Sequence, residues 1–220
     1  MRRMVFPSLV GGLGLVVLLG LGTWQLQRLT WKEDVLATIE SRIAADPVAL
    51  PEQPDEASDR YLAVELTGEI AEGELHVFWV TAGQGAGYRV ISPFVTDTGR
   101  RILIDRGYIA ATDKGTARTT GPATLTGNLL WPDEGDWTTP APDETANILY
   151  ARDLAYMAAR LGTEPVLVVA RAGETGASPL PVSTEGIPNN HLQYAITWFA
   201  LALIWAAMTL TFILRTRSKP

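Results

Sequence analysis

Two uncharged apolar stretches, one at each end of the chain, constrain this sequence more than anything between them. The first runs from about Val5 to Trp24 and the second from about Leu192 to Leu214, and neither holds a charged residue. A helix rises ~1.5 Å per residue, so roughly 20 residues cross a ~30 Å hydrocarbon core. Both stretches are therefore expected to be transmembrane helices, residues 5–24 and 192–214. Arg2 and Arg3 precede the first, Arg215, Arg217 and Lys219 follow the second, and all 24 Asp and Glu lie between them. The positive-inside rule then puts residues 1–4 and 215–220 in the cytoplasm and residues 25–191 on the outer side.

That places the chain in the bacterial inner (plasma) membrane with a periplasmic domain. The mitochondrial inner membrane is the alternative, disfavoured because no Arg- and Ser-rich leader precedes the first span. Met1-Arg2-Arg3 followed by an apolar run also resembles a signal peptide. The exit, Leu21-Gly22-Thr23-Trp24-Gln25, lacks a small-residue cleavage pattern, and Trp24 suits an interface anchor.

The acidic middle repels phosphates, so no nucleic-acid partner is expected. Cysteine is absent, which removes disulfides, thiolate metal sites and thiol redox chemistry. About 165 residues between the spans suffice for one hydrophobic core.

Helical spacing continues past the first span, with Trp24, Arg28, Trp31 and Val35 on one face. A helical extension is expected over 25–45, and residues 47–60 read as a proline-interrupted loop. A β-rich core is expected over 61–170. Strands are predicted at Tyr61–Ile70, Leu75–Thr81, Tyr88–Val95, Arg101–Ile109, Ala123–Leu130 and Val166–Ala170, with turns at Gly73, Gly83–Gly85 and Asp97–Gly99. One helix interrupts them, with Asp153 as N-cap, an apolar stripe of Leu154, Met157, Ala158 and Leu161, and Gly162 as C-cap. The short spacing leaves no room for crossover helices and predicts an antiparallel sheet. The fold class is thus membrane α+β: two transmembrane helices flank an antiparallel barrel- or sandwich-like domain with one packed helix. Residues 110–121 and 132–147 read as long loops.

Only two histidines limit the chemistry, His76 and His191. No serine sits in a nucleophile elbow, two scattered histidines do not make a zinc site, and Gly83-Gln84-Gly85-Ala86-Gly87 precedes a strand rather than a helix. No enzymatic activity and no catalytic residue are expected; a membrane-anchored hydrolase would have to depend on His76 or His191. His76 reads as a half-buried strand residue. His191 follows Asn189 and Asn190, which can cap the second span, so it falls in the first turn at the outer membrane edge. The helix N-terminus carries roughly half a positive charge, a setting that suits the neutral imidazole iron takes as an axial ligand. Tyr194, Trp198 and Trp205 follow near the same helix face. Two readings remain open at this point, an interfacial capping residue and a cofactor ligand.

Several segments together resemble the Surfeit locus protein 1 family of cytochrome c oxidase assembly factors. They are Leu21-Gly22-Thr23-Trp24-Gln25 with Arg28, Trp31 and Lys32; Gly87-Tyr88-Arg89-Val90 with Pro93-Phe94; Ile104-Asp105-Arg106-Gly107-Tyr108-Ile109; Asp153–Ala158; and Asn189-Asn190-His191-Leu192-Gln193-Tyr194-Ala195 with Thr197-Trp198-Phe199. Asp105 and Tyr108 stand where the family more often has Asn and Trp. The resemblance implies a role in maturing haem-copper (aa3-type) oxidase: transient binding of haem a at the outer interface and help with its insertion into subunit I. It implies His191 as axial ligand to the haem iron, with Tyr194, Trp198, Arg28 and Arg106 around the cofactor, the two arginines offsetting its propionates. Oxidase subunit I, haem a synthase and lipid are the partners it implies, with Trp24, Trp31 and Trp205 as contact residues. The alternative is a cofactor-free scaffold that holds the nascent subunit, with close helix packing along Ser8, Gly12 and Gly20 of the first span.

Overall fold

The structure, a computed structural model, describes residues 2–217, and side chains are described for 5–216. Of the expected cytoplasmic flanks, Met1, Ser218, Lys219 and Pro220 lie outside the described residues. The chain divides into two compact units, Met1–Thr38 with Thr184–Pro220, and Ile39–Ser183.

The first unit is helical. Helix α1 runs Arg2–Ala44 without a break, and α4 runs His191–Arg217. Each contains a stretch long and apolar enough to cross a membrane. They meet along Gly11, Gly14, Gly22 and Gln25 of α1 and Ala195, Phe199, Ala202, Trp205 and Thr209 of α4. A Cβ on Gly14 would lie 2.6 Å from the Trp205 indole, and one on Gly22 would lie 2.7 Å from the Phe199 ring. Glycine here is a socket for an aromatic knob. The small-residue stripe of Ser8, Gly12 and Gly20 lies off this seam, and Gly12 and Gly20 have nothing within 4 Å of a would-be Cβ. Both stripes have helical spacing, but only the first faces the large α4 side chains.

The second unit is β-rich. Its elements are β1 (Val48–Ala49), α2 (Glu56–Asp59), β2 (Ala63–Ile70), β3 (Leu75–Thr81), β4 (Gly85–Thr96), β5 (Arg101–Ala110), β6 (Gly121–Leu130), β7 (Ile148–Leu149), α3 (Leu154–Leu161) and β8 (Leu167–Gly173), with a 3-10 turn at Ala111–Asp113. The sheet order is β1-β2-β6-β8-β5-β4-β3-β7, and β2 also pairs with the far end of β4, through Gly68–Thr96, Glu69–Val95 and Ile70–Phe94. That pairing closes β2, β6, β8, β5 and β4 into a five-stranded barrel, while β3 continues the near half of β4 outward.

The sheet is not purely antiparallel. β1–β2, β3–β7 and β5–β8 are parallel. The chain between β5 and β8 includes β6, β7 and α3, and this long return supplies the crossover that short hairpin spacing seemed to forbid. The 47–60 segment likewise holds two short elements, β1 and α2, instead of loop alone; Asp55 caps α2 by accepting from the Ala57 and Ser58 amides.

Alternation on β5 serves two cores at once. Ile102 and Ile104 face the barrel interior with Val64, Leu66, Phe94, Leu125, Leu129 and Val168. Leu103 faces the other way, against Met157 and Ala158 of α3, with Val77, Ile91 and Leu167. Helix α3 is fixed at both ends as its sequence predicts: Asp153 accepts from the Tyr156 amide, and Gly162 takes the left-handed conformation at φ 63°. Residues 39–44, the last turns of α1, belong to this unit and are capped within it. Asn128 Nδ2 and Arg171 Nη1 donate to the Ile43 carbonyl at 3.1 and 2.8 Å, satisfying one of the acceptors that every helix leaves open at its C-terminus.

Candidate functional site

Three polar clusters among the described residues bear on the motifs singled out in the sequence, two in the barrel unit and one in the helical unit. In the first, Asp105 on β5 is fully buried and accepts from Arg89 Nε at 2.6 Å and Arg152 Nη1 at 3.1 Å. Arg152 also binds Glu134 through its Nε at 3.0 Å, its Nη2 and its own backbone amide. The Trp79 ring has Arg89 5.1 Å and Arg152 5.4 Å from its centre. Burial alone would raise the Glu134 carboxyl; the Arg152 guanidinium outweighs it and holds the acid below its ordinary range. Two cations meet two anions, each hydrogen-bonded, which is what a low-dielectric interior demands.

In the second cluster, Glu74 binds Arg118 Nε at 2.7 Å and Arg118 Nη2, and His76 lies beside both. His76 is buried in β3, deeper than the half-buried position its strand alternation suggests. Burial holds its ring below the usual histidine range, helped by the Arg118 and Lys114 charges and opposed by Glu74. For Glu74, burial pulls upward but Arg118 wins, and the carboxyl sits below its ordinary value.

Arg106 belongs to the same interior. It is 1 % exposed, and by alternation it shares a face of β5 with Ile102 and Ile104. Its Nε donates to the Thr175 carbonyl, its Nη2 to the Thr119 carbonyl at 2.7 Å, and its Nη1 approaches Ser92 Oγ at 3.4 Å. Arg106, expected to offset a ligand's propionates, thus has its donors engaged by two loop carbonyls and a serine hydroxyl. Gly107 follows at φ 114°, where a Cβ would lie 2.1 Å from the Ser178 carbonyl oxygen; only glycine lets β5 bridge to that segment.

The third cluster lies in the helical unit. His191 opens α4 and is half-buried, with Asn190 ahead of it accepting from the Tyr194 amide at 3.1 Å. Its Nδ1 lies 2.8 Å from Gln25 Oε1. Gln25 is itself only 9 % exposed. A carbonyl oxygen can accept from Nδ1 only where that nitrogen bears the hydrogen, the tautomer that leaves the lone pair on Nε2. Nε2 has no hydrogen-bond partner among the described residues. The result is one imidazole, oriented through one nitrogen and open at the other, which is the arrangement a single axial ligand needs.

The other expected site residues fall around this point unevenly. Arg28 is one turn beyond Gln25 on α1, and its guanidinium lies 4.5 Å from the centre of the Trp31 ring. Trp24 and Trp31 are about half exposed, as is Tyr194, one turn into α4. Trp198 is half-buried. Trp205, expected as a contact residue, donates its indole N–H to the Gly11 carbonyl of α1 at 2.9 Å. Gln25 was visible only as a letter in a motif. Its signal was an amide at the end of the apolar stretch, on the helix face it shares with Leu18 and Gly22.

A family model described as the SURF1 family matches residues 13–203. A SURF1-like protein of Monosiga brevicollis is 34 % identical over 214 residues, covering 88 % of this chain and 82 % of the relative. Surfeit locus protein 1 of Homo sapiens is 31 % identical over 85 % of this chain and 71 % of its own length, and that of Rattus norvegicus 31 % over 83 % and 67 %. The matched region takes in most of α1, the first half of α4, the whole barrel and the His191–Gln25 pair, and on that extent the chain belongs to the SURF1 family.

Proposed function

We propose that this chain is an assembly factor for haem-copper cytochrome c oxidase that holds haem a as transient cargo and assists its insertion into subunit I. The observation that carries the reading is the His191 imidazole, tied at Nδ1 to Gln25 and open at Nε2. Haem a joins a porphyrin iron to a long farnesyl chain and two propionates, and it suits a site at the edge of a bilayer. His191 supplies an axial ligand, the apolar helices accommodate the tail, and Arg28 with the N-terminus of α4 faces the propionates. Trp198 and Tyr194 offer ring surface to the porphyrin. One ligating imidazole holds iron less firmly than two, which favours release to the acceptor. The setting we propose is the inner membrane, with both termini inside and the barrel domain outside; subunit I and haem a synthase are the partners, with Trp24 and Trp31 at the contact. No catalytic step is assigned to the chain.

A second reading has one observation of its own. Ser8, Gly12 and Gly20 form an exposed small-residue face on α1, with nothing near Gly12 or Gly20, and such a face suits close packing of another helix. In that reading the chain is a scaffold for the nascent subunit and carries no haem. Cargo content separates the two. Purified from cells that make haem a but lack subunit I, a carrier retains haem a, whereas a scaffold comes out colourless. A scaffold also captures subunit I from cells unable to make haem a.

A further inference from the structure

We propose that Gln25 is a positioning residue that decides which nitrogen of His191 is presented to iron; the inference rests on the haem-binding reading above. A neutral histidine has one donor and one acceptor nitrogen, and left to itself it carries the proton mainly on Nε2. That tautomer would point N–H at the metal and its lone pair at the protein. A buried carbonyl oxygen 2.8 Å from Nδ1 reverses the preference.

The sequence builds this contact from the helix seam. Gly22, one turn before Gln25, leaves room for Phe199, and Ala195, one turn after His191, is 1 % exposed. Small residues at both places bring the two backbones close enough for a glutamine to span the gap. A longer approach would leave the amide short of the ring. The amide is also neutral. A carboxylate in its place would push more electron density through the ring and strengthen the iron bond, whereas a glutamine orients without adding charge. That balance fits cargo that has to leave.

The test uses the full chain in lipid nanodiscs, with haem a as the probe. Nitrogen-detected NMR of the two histidines, without haem, reads the tautomer directly. Wild type is expected to show His191 protonated at Nδ1, and Gln25→Leu to shift it towards Nε2–H. Haem a titration is expected to be 10- to 100-fold weaker in Gln25→Leu, roughly the cost of losing a partner to a metal-ligating histidine. Gln25→Glu keeps an acceptor, so it is expected to retain the Nδ1–H tautomer and to lower the haem reduction potential. Unchanged tautomer in Gln25→Leu overturns the proposal, whether or not haem affinity falls. If the tautomer follows Gln25 but bound haem is indifferent to His191→Ala, the haem-site reading fails instead, on a separate measurement.

Discussion

Asp105 in the barrel unit and Gln25 in the helical unit are both buried polar side chains, yet their surroundings differ in kind. Asp105 is charged and meets two arginines, one of which is neutralised again by Glu134. Gln25 is uncharged and meets a single ring. The barrel can hold full charges because β4, β5 and the 132–152 segment converge there with enough donors and acceptors to pair every one. The helix pair has few polar side chains to offer, so an uncharged amide set against a single ring is what it can bury at low cost. Saturation in one place and a single open lone pair in the other separate structural polarity from chemical potential.

The largest test of this contrast is Asp105→Ala. It leaves Arg89 and Arg152 buried without their shared anion and is expected to destabilise the barrel unit by about 3–5 kcal/mol, read as a lower denaturant midpoint of the full chain in detergent. A loss under 1 kcal/mol would mean that the cluster is hydrated and that the contrast is overstated. Next comes Gly22→Leu, which drives a side chain into Phe199 and is expected to cost about 1–3 kcal/mol of helix pairing. Because the chain has no cysteine, Gly11→Cys with Thr209→Cys gives a clean disulfide-trapping readout; trapping is expected to fall in Gly22→Leu and to persist in Gly12→Leu. Trp205→Phe keeps the ring but loses the bond to the Gly11 carbonyl, with an expected loss near ~1 kcal/mol by the same trapping assay.

The smallest effect concerns pH. His76 sits below its ordinary 6.5 in the folded chain, so the unfolded chain takes up the proton first. Its contribution is complete above about pH 6.5 and is lost as pH falls from there towards the folded value. Glu74 and Glu134 are held below their ordinary 4.5, so their contribution is present above 4.5 and is lost as pH falls through the folded values. Both windows have the same sign, and stability of the barrel unit is expected to fall with acid in two stages. His76→Gln is expected to abolish the upper stage alone in a series of denaturant midpoints.

What the sequence made legible was local. Helix α3 was readable because its N-cap, apolar stripe and C-terminal glycine lie within ten residues. The hairpin strands were readable from alternation between turns. The β5–β8 pairing was not, because it joins residues more than 60 apart and nothing in either strand names its neighbour. The two-residue strands β1 and β7 are too short to carry a period. The burial of Arg106 had a usable signal, since counting by two from Ile102 places it on the barrel face. His191 was legible from its place before an apolar helix. Its partner was not, because choosing between the Gly12–Gly20 face and the Gly11–Gly22 face requires knowing where Trp205 and Phe199 point.

The absorption spectrum of haem a bound to the full chain, wild type against His191→Ala, bears most directly on the open imidazole nitrogen. A histidine-ligated spectrum in wild type that is lost in the variant, with the barrel unit's denaturant midpoint unchanged, is the expected result. An identical spectrum in both would show that iron is held elsewhere and that the His191–Gln25 pair only joins two helices.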